Sequence, residues 1–340
     1  MSGLRLSVIV PFYNRSEVIE LCLQSLLASE YPNFEVIAVD DGSTDDAAAL
    51  VRKYPVRLVQ LPRNLGAGCS RNEGAKVADG DVLVFVDSDV VVTANVLGLV
   101  AADFETRPQI AAVQSIYAAT CRYDGFVSAY SNVHYHFYGV TIPKVFLSTV
   151  ATYFVAVRSS VFKAVGMFDD GATTARYVGE DQFFGYKFDQ ETQKIYLDKR
   201  IMVEHLKQYG LCSYLRHDIQ TGNDQVRRIL GGKLGQFVTR VGHGEVGTLI
   251  PSSFMYSVIL AFTIFLNVGL CPFFPALAVW PLAAQLIVFY WLNGRFLLFT
   301  RRTCGWWFFL RSALLTYFKM FFVGLGCCKG VLGHVLRRPA

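Results

Sequence analysis

An α/β fold with a mostly parallel central sheet, followed by transmembrane or interfacial helices at the C-terminus, is predicted by three features of this 340-residue sequence. Short apolar runs ending in polar residues alternate with amphipathic stretches up to Asp89, the βαβ order of a parallel sheet. The first 245 residues carry 24 of the 32 basic residues and all 27 acids, a net −3, whereas the last 95 carry eight basic residues and no acid. That acid-free tail also holds 20 of the 48 aromatics, so two solvents are implied: water for residues 1–245 and lipid for 246–340.

Residues 6–10 are a short apolar run ending at Pro11 and predict the first strand. Ser16 stands where it can cap a helix bearing Val18, Ile19, Leu21, Leu23, Leu26 and Leu27. Residues 35–39 predict a second buried strand, 47–53 a helix, 56–60 a third strand, 70–78 a helix and 82–86 a fourth strand. In such a sheet, ligands bind at the carboxyl ends of the strands. Residues 117–150 are aromatic-rich and specify no more than helix or mixed loop.

In the tail, 252–270 and 276–294 are each 19 residues without a charge, close to the length a bilayer requires. Between them, Cys271-Pro272-Phe273-Phe274-Pro275 is a short uncharged turn. Arg227, Arg228, Lys233 and Arg240 precede the first stretch, and Arg295, Arg301 and Arg302 follow the second. The positive-inside rule then predicts a hairpin with both ends in the cytoplasm. Residues 306–328 carry Arg311 and Lys319 and are expected to lie in the interface as a helix, with Trp306 and Trp307 at headgroup level and both cations snorkelling. A third span is the alternative, although it places Lys329, Arg337 and Arg338 outside, against the charge bias.

With no apolar segment ahead of Leu6 resembling a signal peptide, the expectation is a multi-pass protein of the cytoplasmic (inner) membrane with its first domain in the cytoplasm. Eight cysteines, scattered singly except for Cys327-Cys328 and without CxxC, read as isolated thiols rather than zinc ligands. The basic balance belongs to the anchor and is no argument for a nucleic-acid partner.

The strand ends concentrate the chemistry. They deliver Pro11-Phe12-Tyr13-Asn14, then Asp40-Asp41-Gly42-Ser43-Thr44-Asp45, then Asp87-Ser88-Asp89. If the chain stays extended, Asp87 and Asp89 point the same way and suit a hard divalent cation. Each segment alone also fits a solvated turn or a helix cap. Convergence on one edge of one sheet favours a site.

These residues resemble the inverting family 2 glycosyltransferases, which have the GT-A nucleotide-sugar-binding fold. The resemblance runs through the three strand ends, Asn64-Leu65-Gly66-Ala67-Gly68-Cys69-Ser70-Arg71-Asn72, and Gly179-Glu180-Asp181 after Gly166-Met167-Phe168-Asp169, over roughly residues 5–230. It implies that Pro11, Tyr13 and Asp41, with Asp40 beside them, hold the nucleotide base and ribose. Arg71 would meet the diphosphate, Asp87 the ribose or groups behind it, and Ser88 would belong to the same donor set. Asp89 would bind Mg2+ or Mn2+, with His205 approaching the metal or diphosphate or filling a purely structural role. Asp181 matches the family's general base, and Glu180 would orient donor or acceptor. Gln225 and Arg228 could reach the diphosphate or sit on an amphipathic surface helix. Ile229 stands where processive members carry a stacking Trp, which favours transfer of one or a few sugars. His134-Tyr135-His136 reads as an aromatic acceptor-side wall rather than a metal pair.

A hydroxyl acceptor benefits from a carboxylate base, whereas a phosphate does not. The expected function is therefore transfer from a nucleotide-sugar, most simply a UDP-sugar, to a hydroxyl of a lipid or lipid-linked saccharide at the membrane. Alternatives are a polyprenyl-phosphate glycosyltransferase, a nucleotidyltransferase, and a non-catalytic membrane protein that binds nucleotide-sugars.

Overall fold

The structure, a computed structural model, describes residues 3–169, 180–189, 192–230 and 252–336. Its first compact unit comprises the described residues up to Arg122 together with Gly139–Lys207. The chain runs β1 (Leu6–Phe12), α1 (Ile19–Leu27), β2 (Phe34–Asp40), α2 (Ala47–Val51), β3 (Arg57–Gln60), α3 (Ala67–Lys76) and β4 (Val82–Val86). It continues through β5 (Val90–Val91), α4 (Val96–Thr106), β6 (Ile110–Tyr117), α5 (Phe126–Thr141) and β7 (Phe146–Leu147). Then come β8 (Phe154–Arg158), α6 (Ser159–Ala164), α7 (Glu180–Tyr186) and β9 (Lys194–His205).

The strands form one sheet in the order β3-β2-β1-β4-β8-β6-β9-β5, with β7 also on β9. The pairs β1/β2, β1/β4, β2/β3 and β6/β9 are parallel, and β8 enters antiparallel between β4 and β6. Every residue of β1 and β4 is buried. That explains why these strands read as continuous apolar runs rather than alternating ones. Side chains of one parity (Val8, Val10, Val84, Val86) join the core that contains α1 and α4, and the other parity (Ile9, Leu83, Phe85) joins the core on the opposite face. Because β1 lies between β2 and β4, the direction of winding reverses there, and in open α/β sheets such a switch point is where ligands bind, at the carboxyl ends of the strands.

Four local expectations change. Pro11 does not end β1: the strand continues to Phe12 in register with Asp40, and pairing to β4 has already stopped at Ile9. Ser16 does not cap α1, which starts at Ile19 without a side-chain cap. Its own N–H is taken by Asp45 Oδ2 at 2.9 Å. The third helix begins at Ala67, where Gly66 at φ +98° turns the chain into it. The aromatic region contains the sixteen-residue α5 followed by β7.

The second unit comprises Tyr123–Tyr138 and the described residues from Gln208 onward. The two units therefore interleave along the chain, and a linear cut at 245 does not reproduce them. It contains most of α5 with α8 (Leu211–Leu230), α9 (Ser252–Leu270), α10 (Pro275–Leu292), α11 (Gly294–Cys304) and α12 (Trp306–Val335). The two uncharged stretches thus fold as helices at the expected places. Asn267 Nδ2 donates to Gln285 Oε1 at 2.7 Å, and Asn293 Nδ2 to Ser257 Oγ at 2.9 Å, so their few polar side chains satisfy one another. Among the described helices, α12 alone is long and apolar enough to cross a membrane by itself. The pair α10 and α11 meets the same test only together, across a 60° bend. Lys233, Arg240, Arg337 and Arg338, which entered the topology argument, lie outside the described residues.

The helix of residues 306–328 is longer than expected, and Lys319 does not snorkel. A Cβ on Gly326 would meet the Ile219 carbonyl oxygen at 2.0 Å, and one on Gly222 the Val323 carbonyl oxygen at 2.0 Å, so α8 and α12 touch backbone to backbone. Lys319 Nζ lies in that seam, 3.2 Å from Asp218 Oδ1 and 3.0 Å from the Tyr214 hydroxyl. Arg311 is exposed, its guanidinium 4.1 Å from the Phe126 ring. Lys319→Met leaves Asp218 charged in an apolar seam and is expected to cost about 3–5 kcal/mol, with most of the loss recovered in Lys319→Met/Asp218→Leu. Denaturant unfolding of the parent and the two variants checks this; equal stability of the single and double variants would refute it.

Candidate active site

Two loops at the carboxyl ends of β1 and β2 are tied to each other. Asn14 adopts φ +51°, a conformation available to few residues other than Gly, Asn and Asp. Its Oδ1 accepts from the Thr44 N–H at 2.8 Å and the Thr44 hydroxyl at 3.3 Å, while its N–H donates to Ser43 Oγ at 3.0 Å. Pro11 is buried in β1, and Tyr13 beside Asn14 is 41% exposed, leaving a ring free to stack.

The two carboxylates after β2 divide their work. Asp40 Oδ1 accepts from the Ser43 N–H at 2.8 Å and Oδ2 from Gln60 Nε2 at 3.0 Å. Asp41 accepts the N–H groups of Leu65 and Gly66 at 2.8 and 2.9 Å, anchoring the turn into α3. Gly42, at φ +74°, lets this turn pass the chain at Arg63, whose backbone a Cβ would meet at 2.7 Å. Both acids are nearly buried, so what they offer a ligand is a pre-positioned edge rather than a free side chain.

The Asp87-Ser88-Asp89 segment is not extended. The Val90 N–H bonds back to the Asp87 carbonyl at 3.1 Å, so the chain turns and the carboxylates take different partners. Asp87 Oδ1 accepts from Arg71 Nη2 at 2.7 Å. Arg71, expected at the diphosphate, is 3% exposed and lies 5.6 Å from the Phe168 ring, so its geometry is that of a buried support for Asp87. Ser88 is buried between the two acids.

Asp89 faces His205. The β5/β9 register places Val90 opposite His205, and the Leu206 N–H donates to the Asp89 carbonyl at 2.7 Å. This sets His205 Nε2 3.7 Å from Asp89 Oδ2, with both side chains about nine-tenths buried. Behind the imidazole, the Tyr117 ring lies at 5.0 Å and itself stacks on Tyr153 at 3.8 Å. Burial pushes the Asp89 carboxyl up, but His205, Lys207 and Arg15 outweigh it and hold the group at about 2. Asp89 is therefore ionised at any ordinary pH.

An ionised carboxylate beside an imidazole fits Mg2+ or, with its nitrogen donor, Mn2+. No group of three or more candidate metal ligands occurs among the described residues.

Asp181 is half-buried in the first turn of α7, and Glu180 opens that helix; Gly179 of the same motif lies outside the described residues. Gln225 and Arg228 fall on α8 in the second unit. His134 and His136 sit two apart on α5, hence on different faces of a helix, and His134 is buried against Tyr130 and Tyr138.

Sequence reasoning gave no part to Gln60, Asn14, Tyr117 or Tyr153. Asn14 was visible within its motif, but Gln60 and the two tyrosines carry no local signal because only sheet pairing brings them here.

Residues 7–166 match the family model described as Glycosyl transferase family 2. The chain is 36% identical over 97 residues to glycosyltransferase GlyG of Streptococcus pneumoniae, a match covering 27% of this chain and 32% of that protein. It is 31% identical over 112 residues to the poly-beta-1,6-N-acetyl-D-glucosamine synthase of Staphylococcus epidermidis, covering 32% and 27%. The chain thus spans about a third or less of the curated relatives' length. Its fold is similar to that of the mannosyltransferase PcManGT from Pyrobaculum calidifontis, solved with GDP-Man and Mn2+, with TM-score 0.59, 16% identity and coverage of 97% and 88%.

Proposed function

We propose that this chain, whose residues 7–166 match the Glycosyl transferase family 2 model, moves one or a few sugars from a UDP-sugar to a hydroxyl of a lipid or lipid-linked saccharide at the cytoplasmic membrane. The observation that carries the reading is the buried Asp89–His205 pair, whose carboxylate is held ionised just after the carboxyl end of β4. Around it, Tyr13 and Pro11 offer a face for the base, and Asp40 and Asp41 edge the ribose. The Arg71-supported Asp87 is assigned to the ribose or the groups behind it, and Ser88 to the same donor set. Glu180 is assigned to orienting the reactants.

In the reaction, the acceptor oxygen attacks the anomeric carbon as the bond from that carbon to the diphosphate oxygen breaks, inverting the configuration. Asp181 takes the proton from the acceptor hydroxyl. Asp89, with His205 beside it, would hold Mg2+ or Mn2+, which would supply charge neutralisation for the departing diphosphate.

Membrane attachment through α9, α10 and α12 is supported by the apolar surface they present. Trp280, Ile287 and Trp291 on α10 are at least 70% exposed, as is Trp307 on α12. A surface of this kind in water is an association liability and in lipid is not.

The test incubates purified protein and Mn2+ with UDP-glucose, UDP-N-acetylglucosamine and GDP-mannose, with and without bacterial lipid extract. The expected result is release of a nucleoside diphosphate from a UDP-sugar, stimulated by the extract. Diphosphate release from a nucleoside triphosphate, without turnover of any sugar donor, would overturn the reading in favour of nucleotidyl transfer.

A further inference from the structure

We infer that Asn72 is a positioning residue that fixes the general-base helix relative to the donor carboxylates, an inference that rests on the sugar-transfer reading above. Asn72 is 6% exposed on α3, directly after Arg71. Its amide grips the backbone of one distant residue twice: Nδ2 donates to the Phe168 carbonyl at 2.9 Å, and Oδ1 accepts the Phe168 N–H at 3.0 Å. That complementary pair needs both a donor and an acceptor on one side chain, which Asn provides and Asp at neutral pH does not.

What it grips is a turn that local preference disfavours. Gly166 adopts φ +84° and Met167 φ +56°, a left-handed conformation costly for an unbranched apolar residue. Lys187, just after α7, holds the same turn from the other side, with Nζ 2.8 Å from the Met167 carbonyl and 2.7 Å from Asp169 Oδ1. The Phe168 ring packs on Phe184 of α7 at 4.4 Å and edge-on to Phe85 of β4 at 5.2 Å. Phe184 stands one helical turn from Asp181. A Cβ on Gly185 would meet the Thr149 backbone at 2.6 Å, so α7 also has no slack against the segment before β8.

Consecutive residues of one helix therefore reach two parts of the mechanism. Arg71 sets Asp87 on the donor side. Asn72 sets the Phe168 turn and, through Phe184, the helix that begins with Glu180 and Asp181. Displacing a reacting group by about 1 Å can cost about a hundredfold in rate.

The experiment compares Asn72→Ala, Asn72→Asp and Lys187→Met with Phe162→Leu, which loosens the same aromatic core without releasing the turn. Two readouts are used: amide hydrogen exchange across 162–188, and kcat per nucleotide site, the sites being counted by titration with UDP and Mn2+. Expected for both Asn72 variants and Lys187→Met are at least tenfold faster exchange in α7, kcat per site lower by about 10- to 100-fold, and UDP affinity within about threefold of the parent. Phe162→Leu is expected to lower Tm while kcat per site stays unchanged.

Unaltered exchange in α7, or a parallel loss of UDP affinity, overturns the inference. If Asn72→Ala fails to fold, Lys187→Met decides by the same criteria. The exchange readout needs no turnover, so faster exchange in a protein that turns over no sugar donor leaves the clamp standing and overturns the sugar-transfer reading instead.

Discussion

Asp89→Asn is expected to lower kcat/KM by about a thousandfold and to abolish the response to Mn2+. The substitution keeps shape and removes the one charge that burial makes expensive and that His205, Lys207 and Arg15 keep in place. If Asp89 anchors the cation that offsets charge on the departing diphosphate, its loss removes several kcal/mol of transition-state stabilisation, and about 4 kcal/mol is a factor of about 10³. Steady-state kinetics over a Mn2+ titration, with chelator controls, checks this. A variant that keeps both its rate and its chelator sensitivity would remove Asp89 from the metal site. His205→Ala should cost less, about 10- to 100-fold, since it removes one donor and leaves the carboxylate.

The pH dependence follows from the same group. The folded-state value of about 2 lies below the roughly 3.9 of a free Asp, so Asp89 contributes stability that is present above about pH 4 and lost as pH falls towards 2. An acid limb of activity at higher pH therefore belongs to another group.

Asp181→Asn is the second large effect. The amide cannot take a proton, so kcat should fall by about 10²- to 10⁴-fold while donor KM stays near its parent value, and the acid limb of the kcat profile should disappear. The measurement is kcat and KM against pH with a hydroxyl acceptor. A kcat insensitive to this change would point to an acceptor that is already ionised, such as a polyprenyl phosphate, and would withdraw the base assignment. The comparison with Asn72→Ala is informative, because Asp181→Asn changes the acid limb without loosening α7, whereas Asn72→Ala loosens α7 while the base stays intact.

Much of the fold was legible because its signals are local. The buried strands β1, β2 and β4 announce themselves as apolar runs closed by polar residues, and α9 and α10 as uncharged stretches. The motifs at residues 11–14, 40–45 and 87–89 likewise follow the ends of β1, β2 and β4 or overlap them. Less legible was what those residues touch. Arg71 looks like a phosphate ligand in one dimension, because nothing local reveals that burial commits it to Asp87. Asp87 and Asp89 look like one bidentate set until the turn at Val90 separates them. Lys319 looks like a snorkelling cation until the glycine seam brings Asp218 to it.

By itself, then, the sequence determined the class of fold, the order of its elements as far as β4, and the contrast between an acid-bearing part and an acid-free apolar tail. These depend on side-chain period and composition, which neighbours along the chain already express. Tertiary structure alone decided the partners: His205 with Asp89, Asn72 with Phe168, Lys319 with Asp218. Each pair joins residues far apart in sequence, through a strand register or a helix crossing that no single segment encodes. Burial then makes such pairing matter, because a polar group removed from water must find its partner wherever the fold happens to bring one.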